Sequence, residues 1–241
     1  MNKSLCIKLY RNNPNKYCGF TLIEIAIILF IMSLMLGNMV KGSTLVDNAK
    51  VKRLAEDFGN IPSYIYDYQN KFRALPGDDA VASIHVGGTT ATTPIGKQGN
   101  GQIDGPWNSL VRTDESYLFW QHVRLAGLAP GSIVIIPATP AIGDGYTPVN
   151  AVGGQIGIQS NNSSFTTITL NASDIASTFT GSHILCSQGI LGKYAKQLDT
   201  MMDDGNTDTG SMRVNDPAVP GKSVATANIS DSRLYIVCMG I

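Results

Sequence analysis

The chain has 241 residues, with 18 Lys and Arg against 18 Asp and Glu and 43% apolar residues. So even a balance leaves no strong field pointing to nucleic acid, and the length leaves ample chain for one sizeable core. No Gly-x-Ser-x-Gly, phosphate-binding Gly-rich loop or His-Glu-x-x-His occurs, which removes the common enzymatic signatures.

Residues 1–19 carry Lys3, Lys8, Arg11 and Lys16 and no acid. From Phe20 to Val40 the chain is apolar except for Thr21, Glu24, Ser33, Gly37 and Asn38, long enough to cross a bilayer core of roughly 20 residues. A secretory signal peptide has its apolar stretch before the cleavage site. Here the expected cut, after Gly19, precedes it, so cleavage removes the cationic leader, keeps the apolar helix and frees an amine on Phe20. Glu24 then lies one helical turn from that amine. A lone carboxylate in lipid protonates or seeks a cation, and the nearest cation is a Phe20 amine, its own or a neighbouring copy's. Pairing Glu24 of one copy with Phe20 of the next sets an axial register in a staggered bundle, as buried polar residues do in coiled coils. The alternative is that Glu24 reaches the headgroups.

The run Gly19-Phe20-Thr21-Leu22-Ile23-Glu24 followed by about 20 apolar residues resembles the signal of type IV pilins and type II secretion pseudopilins. Cys18 stands where that family usually has a basic residue, with Lys16 two residues earlier. The resemblance implies cleavage by a prepilin peptidase between Gly19 and Phe20, N-methylation of Phe20, and an assembly role for Glu24. It implies other pilin or pseudopilin subunits, an inner-membrane assembly platform and the inner membrane itself as partners. The implied fold class is α+β: a long N-terminal α-helix, membrane-spanning in its first half and amphipathic in its second, packed on an antiparallel β-sheet in a C-terminal globular domain. The expected boundaries are a leader over 1–19, a membrane or filament-core half-helix over 20–42, an amphipathic half-helix over 43–75 and a globular domain over 76–241.

Lys and Arg flank the span on both sides, so counting charges does not orient it. Cys6 and Cys18 leave with the leader, which also leaves 14 basic against 18 acidic residues in 222. Cys186 and Cys238 remain in the body and fit one disulfide, hence an oxidising compartment such as a periplasm; two buried free thiols are the alternative. The 51 residues between them correspond to roughly 4 kcal/mol of stabilisation on chain entropy. Such a bond matches the disulfide-bounded end of many type IV pilins.

Beyond the apolar run, Val51, Leu54, Phe58, Ile61, Ile65, Tyr68, Phe72 and Leu75 are spaced alternately 3 and 4 apart, a helical stripe. One helix from Phe20 to about Ala74 would run roughly 80 Å, kinked at Pro62 and ended before Leu75-Pro76-Gly77-Asp78. Residues 83–105 read as loop. Residues 114–127 read as a helix, with Asp114 to cap it and Gly127 to end it. Phe72–Asp79, Gly99–Gly105 and Phe119–His122 also resemble a subset of pilin-like proteins with large C-terminal domains. Expected strands are 132–136, 155–159, 164–170, 211–214 and 234–238. Residues 190–198 suggest one more helix, tied to the last strand if Cys186 and Cys238 bond.

Asp204, Asn206 and Asp208 place oxygen side chains at alternate positions, which lets one loop wrap a hard cation such as Ca2+. Some pseudopilins bind calcium in a C-terminal loop. Asn100, Gln102 and Asp104 form a second, weaker set. In both, the alternative is a turn whose Asp and Asn bond their own backbone. His85, His122 and His183 are far apart and read as surface or core residues. The function expected is that of a non-enzymatic structural subunit, a minor pilin or pseudopilin. The alternatives are a filament-tip module for adhesion or DNA uptake on the same anchor, and a signal-anchored periplasmic enzyme.

Overall fold

The computed structural model describes residues 21–135, 140–161, 179–219 and 222–241, with the backbone alone over 35–43. The chain divides into two compact units, Met1–Leu45 and Val46–Ile241. Helix α1 runs from Leu22 to Phe72. In the first unit its described side chains, Leu22 through Leu34 with Thr44 and Leu45, are all exposed, although most are large and apolar. Among the described residues no helix is long and apolar enough to cross a membrane. The expected span over 20–42 includes Phe20 and the side chains of 35–42, which lie outside them.

In the second unit the helical stripe is buried as its spacing requires. Val51, Leu54, Phe58, Ile61, Ile65 and Tyr68 are each 5% exposed or less, and Phe72 is half-buried. Each fully buried side chain of this size contributes about 1.5–3 kcal/mol. Pro62 lies inside the helix. Arg73 then takes a left-handed backbone, φ 57°, the conformation that commonly closes a helix. A short helix α2 (Ala82–His85) falls at the start of the stretch expected to be loop.

Helix α3 spans Glu115–Leu125. Its C-terminus closes as expected at Gly127, φ 78°: the Leu128 N–H bonds the Val123 carbonyl and the Gly127 N–H bonds that of Arg124, the paired bonds of a Schellman end. Its N-terminus differs from expectation. Asp114 occupies the cap position without capping, because its Oδ2 accepts the Ser109 hydroxyl at 2.6 Å.

Four strands, β1 (Ile156–Ser160), β2 (His183–Leu191), β3 (Met212–Asn215) and β4 (Leu234–Gly240), form one antiparallel sheet in the order β1-β2-β4-β3. The protein is thus α+β with an antiparallel sheet. Leu185, Ile190, Val214, Tyr235 and Val237 share one core with the α1 stripe, Leu118, Phe119 and Val123. Ile184, Cys186 and Cys238 join Trp107 and Phe179 in a second cluster. β2 was not anticipated, because Ser187-Gln188-Gly189 interrupts its apolar pattern. The interruption is a bulge: Ser187 pairs with Val237 but Ile190 with Tyr235, and Gly189 takes φ 75°. One extra residue flips alternation and turns Ile190 into the main core. Residues 132–135, expected as a strand, form none. The strand expected over 164–170 lies outside the described residues.

Helix α4 (Gly192–Met202) follows β2 directly and buries Tyr194, Ala195 and Leu198. Ile190 and Leu191, expected in this helix, belong to the strand. A Cβ at Gly192 would stand 2.1 Å from the Ser230 carbonyl oxygen, so only glycine fits where the strand turns into the helix.

Candidate functional site

Three places gather the residues that the sequence marks out: the start of α1, the Cys186–Cys238 pair, and the loops holding the acidic turns. Gly19 and Phe20 lie outside the described residues. Thr21 is the N-cap of α1 and Glu24 its third helical residue. The Glu24 Oε2 accepts the Thr21 backbone N–H at 3.0 Å and the Thr21 hydroxyl at 2.9 Å, and the Glu24 N–H reaches back to Thr21 Oγ1 at 3.3 Å. This reciprocal arrangement is a capping box. Its signature, Thr-x-x-Glu before an apolar run, stands in the sequence, but the reading of Glu24 as an intermolecular partner passed over its local one. Both roles use the same carboxylate.

Cys186 and Cys238 are bonded, with Cα atoms 4.1 Å apart. They face each other in the β2–β4 register, so the bond staples neighbouring strands and does not tie β4 to a helix.

The loop after α4 carries Asp203, Asp204, Asn206 and Asp208. The Asp204 Oδ1 accepts the Asn206 N–H at 2.8 Å and its Oδ2 accepts the Thr209 hydroxyl at 2.6 Å. The Asn206 Oδ1 accepts the Thr226 hydroxyl at 3.2 Å. Asp204 and Asn206 therefore hold the turn. The carboxylates gathered beside Asp204 are those of Asp199 and Asp203. Asp199 is fully buried. Burial, and then Asp203 and Asp204, push its carboxyl up to about 6.

The second acidic turn wraps a buried centre. Asp78 accepts backbone N–H groups from Gly99, Asn100 and Gly101. Asn100 Nδ2 donates to Asp104 Oδ2 at 3.0 Å, and the Gln102 N–H bonds Asn100 Oδ1. Glu115, fully buried, accepts the Asp104 N–H at 2.8 Å through Oε2, while its Oε1 has no partner among the described residues. Burial, followed by the charges of Asp78, Asp104 and Asp114, raises its carboxyl to about 8. A carboxylic acid that keeps its proton at neutral pH is the least unfavourable form in such a place.

Of the histidines, His122 is buried with Nδ1 accepting the Gly77 N–H at 2.9 Å and Nε2 facing the Thr89 carbonyl at 2.8 Å. These bonds fix one neutral tautomer, and burial lowers its pKa. His85 bonds the buried Asp79, whose Oδ2 also accepts the Tyr68 hydroxyl, each at 2.7 Å. This network links α1 to the loop after it. His183 is largely buried with its pKa lowered by burial. A cleft of about 380 Å³ is lined by Asp57, Tyr64, Trp120 and Arg124 among others. Arg124 there is held by the carbonyls of Pro130, Ser132 and Tyr146.

No protein-family model, curated protein or solved structure matches the chain.

Proposed function

We propose that this protein is a filament subunit of the type IV pilin or pseudopilin kind. A peptidase removes residues 1–19, Phe20 becomes the methylated N-terminus, and the apolar start of α1 bundles with that of other copies. The observation that carries this reading is the sequence Gly19-Phe20-Thr21-Leu22-Ile23-Glu24 at the head of an apolar run, with a cationic leader before it. The helical conformation of Leu22–Leu34 and the exposure of its large apolar side chains support it: a run so apolar is unstable in water and is covered by lipid or by neighbours. Before assembly the run anchors the chain in the inner membrane with the second unit on the periplasmic side, where a disulfide persists. Apolar packing and the pairing of Glu24 with a neighbour's Phe20 amine then set the stagger of the bundle. The second unit is larger than a plain shaft needs, which favours a minor or specialised subunit.

The test is to express the full chain beside a prepilin peptidase and follow its size. The wild type loses its 19-residue leader, and Gly19→Leu keeps it. Processing that is indifferent to Gly19 contradicts the proposal.

A further inference from the structure

The cleft of about 380 Å³ in the second unit takes no part in the filament reading, and its volume falls in the range of small-ligand sites. One side of it is a face of α1, where Asp57, Asn60, Ile61 and Tyr64 recur at helical spacing. Asn60 is exposed, and Asp57 and Tyr64 are half-buried. The Asp57 Oδ2 accepts the Ala151 N–H at 3.1 Å, and its Oδ1 has no hydrogen bond among the described residues. A carboxylate, an amide and a phenol therefore line the cleft beside the apolar side chain of Ile61.

Arg124, on the last turn of α3, brings the one positive charge that lines the cleft among the described residues. Its Nε donates to the Pro130 carbonyl at 3.1 Å, and its Nη1 donates to the carbonyls of Ser132 at 2.9 Å and Tyr146 at 2.7 Å. The guanidinium lies 5.7 Å from the centre of the Trp120 ring and 5.1 Å from that of Tyr146. These contacts fix its plane but supply no full negative charge, and Nη2 has no hydrogen bond among the described residues. No carboxylate among the described residues forms an ion pair with it. Asp144 acts on Arg124 from nearby, but its oxygens are taken by the N–H groups of Ala141, Tyr146 and Thr147. Arg124 keeps its charge at neutral pH, and a half-buried cation without an anion is unfavourable.

We propose that this cleft binds a uronic acid, an acidic sugar whose carboxylate pairs with Arg124 and whose hydroxyls bond Asp57, Asn60 and Tyr64. A carboxylate meets a guanidinium in a planar, charge-assisted pair, and a guanidinium already held in place loses little freedom on binding. Asp57 selects the charge of the ligand. It repels a dianion such as phosphate, whereas a monocarboxylate that carries hydroxyls offers its Oδ1 a donor. Ile61 and Ile156 give apolar surface to the C–H face of a sugar ring. A neutral sugar bonds the same α1 residues but leaves Arg124 without an anion, so it binds more weakly. Every residue of the site lies in the second unit, and the proposal is independent of filament assembly.

The test is a titration of the full chain, purified in detergent, with glucuronate, galacturonate, glucose and inorganic phosphate, followed by saturation-transfer NMR. At least one uronate binds with a Kd of about 1 mM or below, and glucose and phosphate bind at least about tenfold more weakly. Arg124→Gln weakens the uronate by about tenfold or more and brings it level with glucose. Absence of uronate binding at about 10 mM, glucose binding as tight as the uronate, or phosphate binding tighter than it overturns the proposal. Arg124 ties three backbone segments together, so Arg124→Gln is paired with two milder variants. Asp57→Asn keeps an acceptor for the Ala151 N–H, and Asn60→Ala alters an exposed side chain. Each weakens the uronate by about threefold to tenfold. Binding equal to wild type in both overturns the site whether or not Arg124→Gln folds.

Discussion

Glu24 bonds Thr21, three residues before it, through both the backbone N–H and the hydroxyl. The carboxylate that the filament reading assigns to a neighbour's amine thus has an intramolecular place at its own helix start. The capping box holds the side chain at the N-terminal end of α1, where, on the proposed reading, an incoming amine would meet it without a large search of rotamers. On the proposed filament reading, assembly would exchange or share a hydrogen bond with Thr21 instead of ordering a free side chain.

Two substitutions separate these roles. Glu24→Val removes both and is expected to lower recovered filament by about tenfold or more, as truncating one member of a buried charge pair does. Thr21→Ala removes the local partner alone and leaves the carboxylate for the neighbour, so filament yield falls by no more than about twofold. Quantifying sheared filament against cell-bound subunit reads the difference. Equal losses would show that Glu24 acts only as a cap.

The Cys186–Cys238 bond closes a chain separation of 52 residues. Replacing both cysteines with serine is expected to lower unfolding free energy by about 2–4 kcal/mol, read as a lower urea midpoint. Reduction of the wild type should reproduce the loss. A midpoint unchanged by either treatment would mean that the β2–β4 hydrogen bonds already fix the pairing.

Glu115 gives stability a pH dependence of known sign. Its carboxyl titrates at about 8 in the fold against 4.5 ordinarily. Between those values the native state holds a proton that the unfolded chain has released, so stability falls as pH rises, by at most about 1.4 kcal/mol per unit, and levels off above the folded value. Asp199, at about 6 in the fold, acts in the same direction over a lower window, so a variant is needed to isolate Glu115. Glu115→Gln keeps an acceptor for the Asp104 N–H and cannot ionise. It should match the wild type within about 1 kcal/mol at pH 5 and exceed it by about 2–4 kcal/mol at pH 9. Denaturant unfolding at the two pH values checks this; parallel loss in both proteins would place the titration elsewhere.

Two glycine-to-alanine changes should move stability in opposite directions. Gly59 lies in α1 with nothing within 4 Å of an added Cβ, so Gly59→Ala gains about 0.5–1 kcal/mol from helix propensity. In β1 a Cβ at Gly157 would stand 1.9 Å from the Trp107 carbonyl oxygen. Gly157→Ala must displace backbone and should lose about 2–3 kcal/mol. Equilibrium unfolding of the two variants provides the comparison.

The stripe from Val51 to Tyr68 was legible because one periodicity governs both spacing and burial, and β1, β3 and β4 because β-branched runs are bounded by turn residues. β2 was not, since a bulge exists only relative to a partner strand, and Ser187-Gln188-Gly189 alone reads as a break. Asp114 carried a cap residue's identity, but the competing Ser109 hydroxyl is visible only in three dimensions. At the acidic loop, the alternation of 204, 206 and 208 drew attention to the turn. Asp199 stands four residues before Asp203, a spacing that carries meaning only once α4 is seen to extend to Met202. The Thr21–Glu24 cap was readable from its spacing alone.

The most direct measurement is the mass of the N-terminal peptide of the native protein taken from cells. The filament account predicts a chain that begins at Phe20 and carries one added methyl group. A native chain that retains Met1, or one cut beyond residue 40 so that the apolar run is gone, would contradict it.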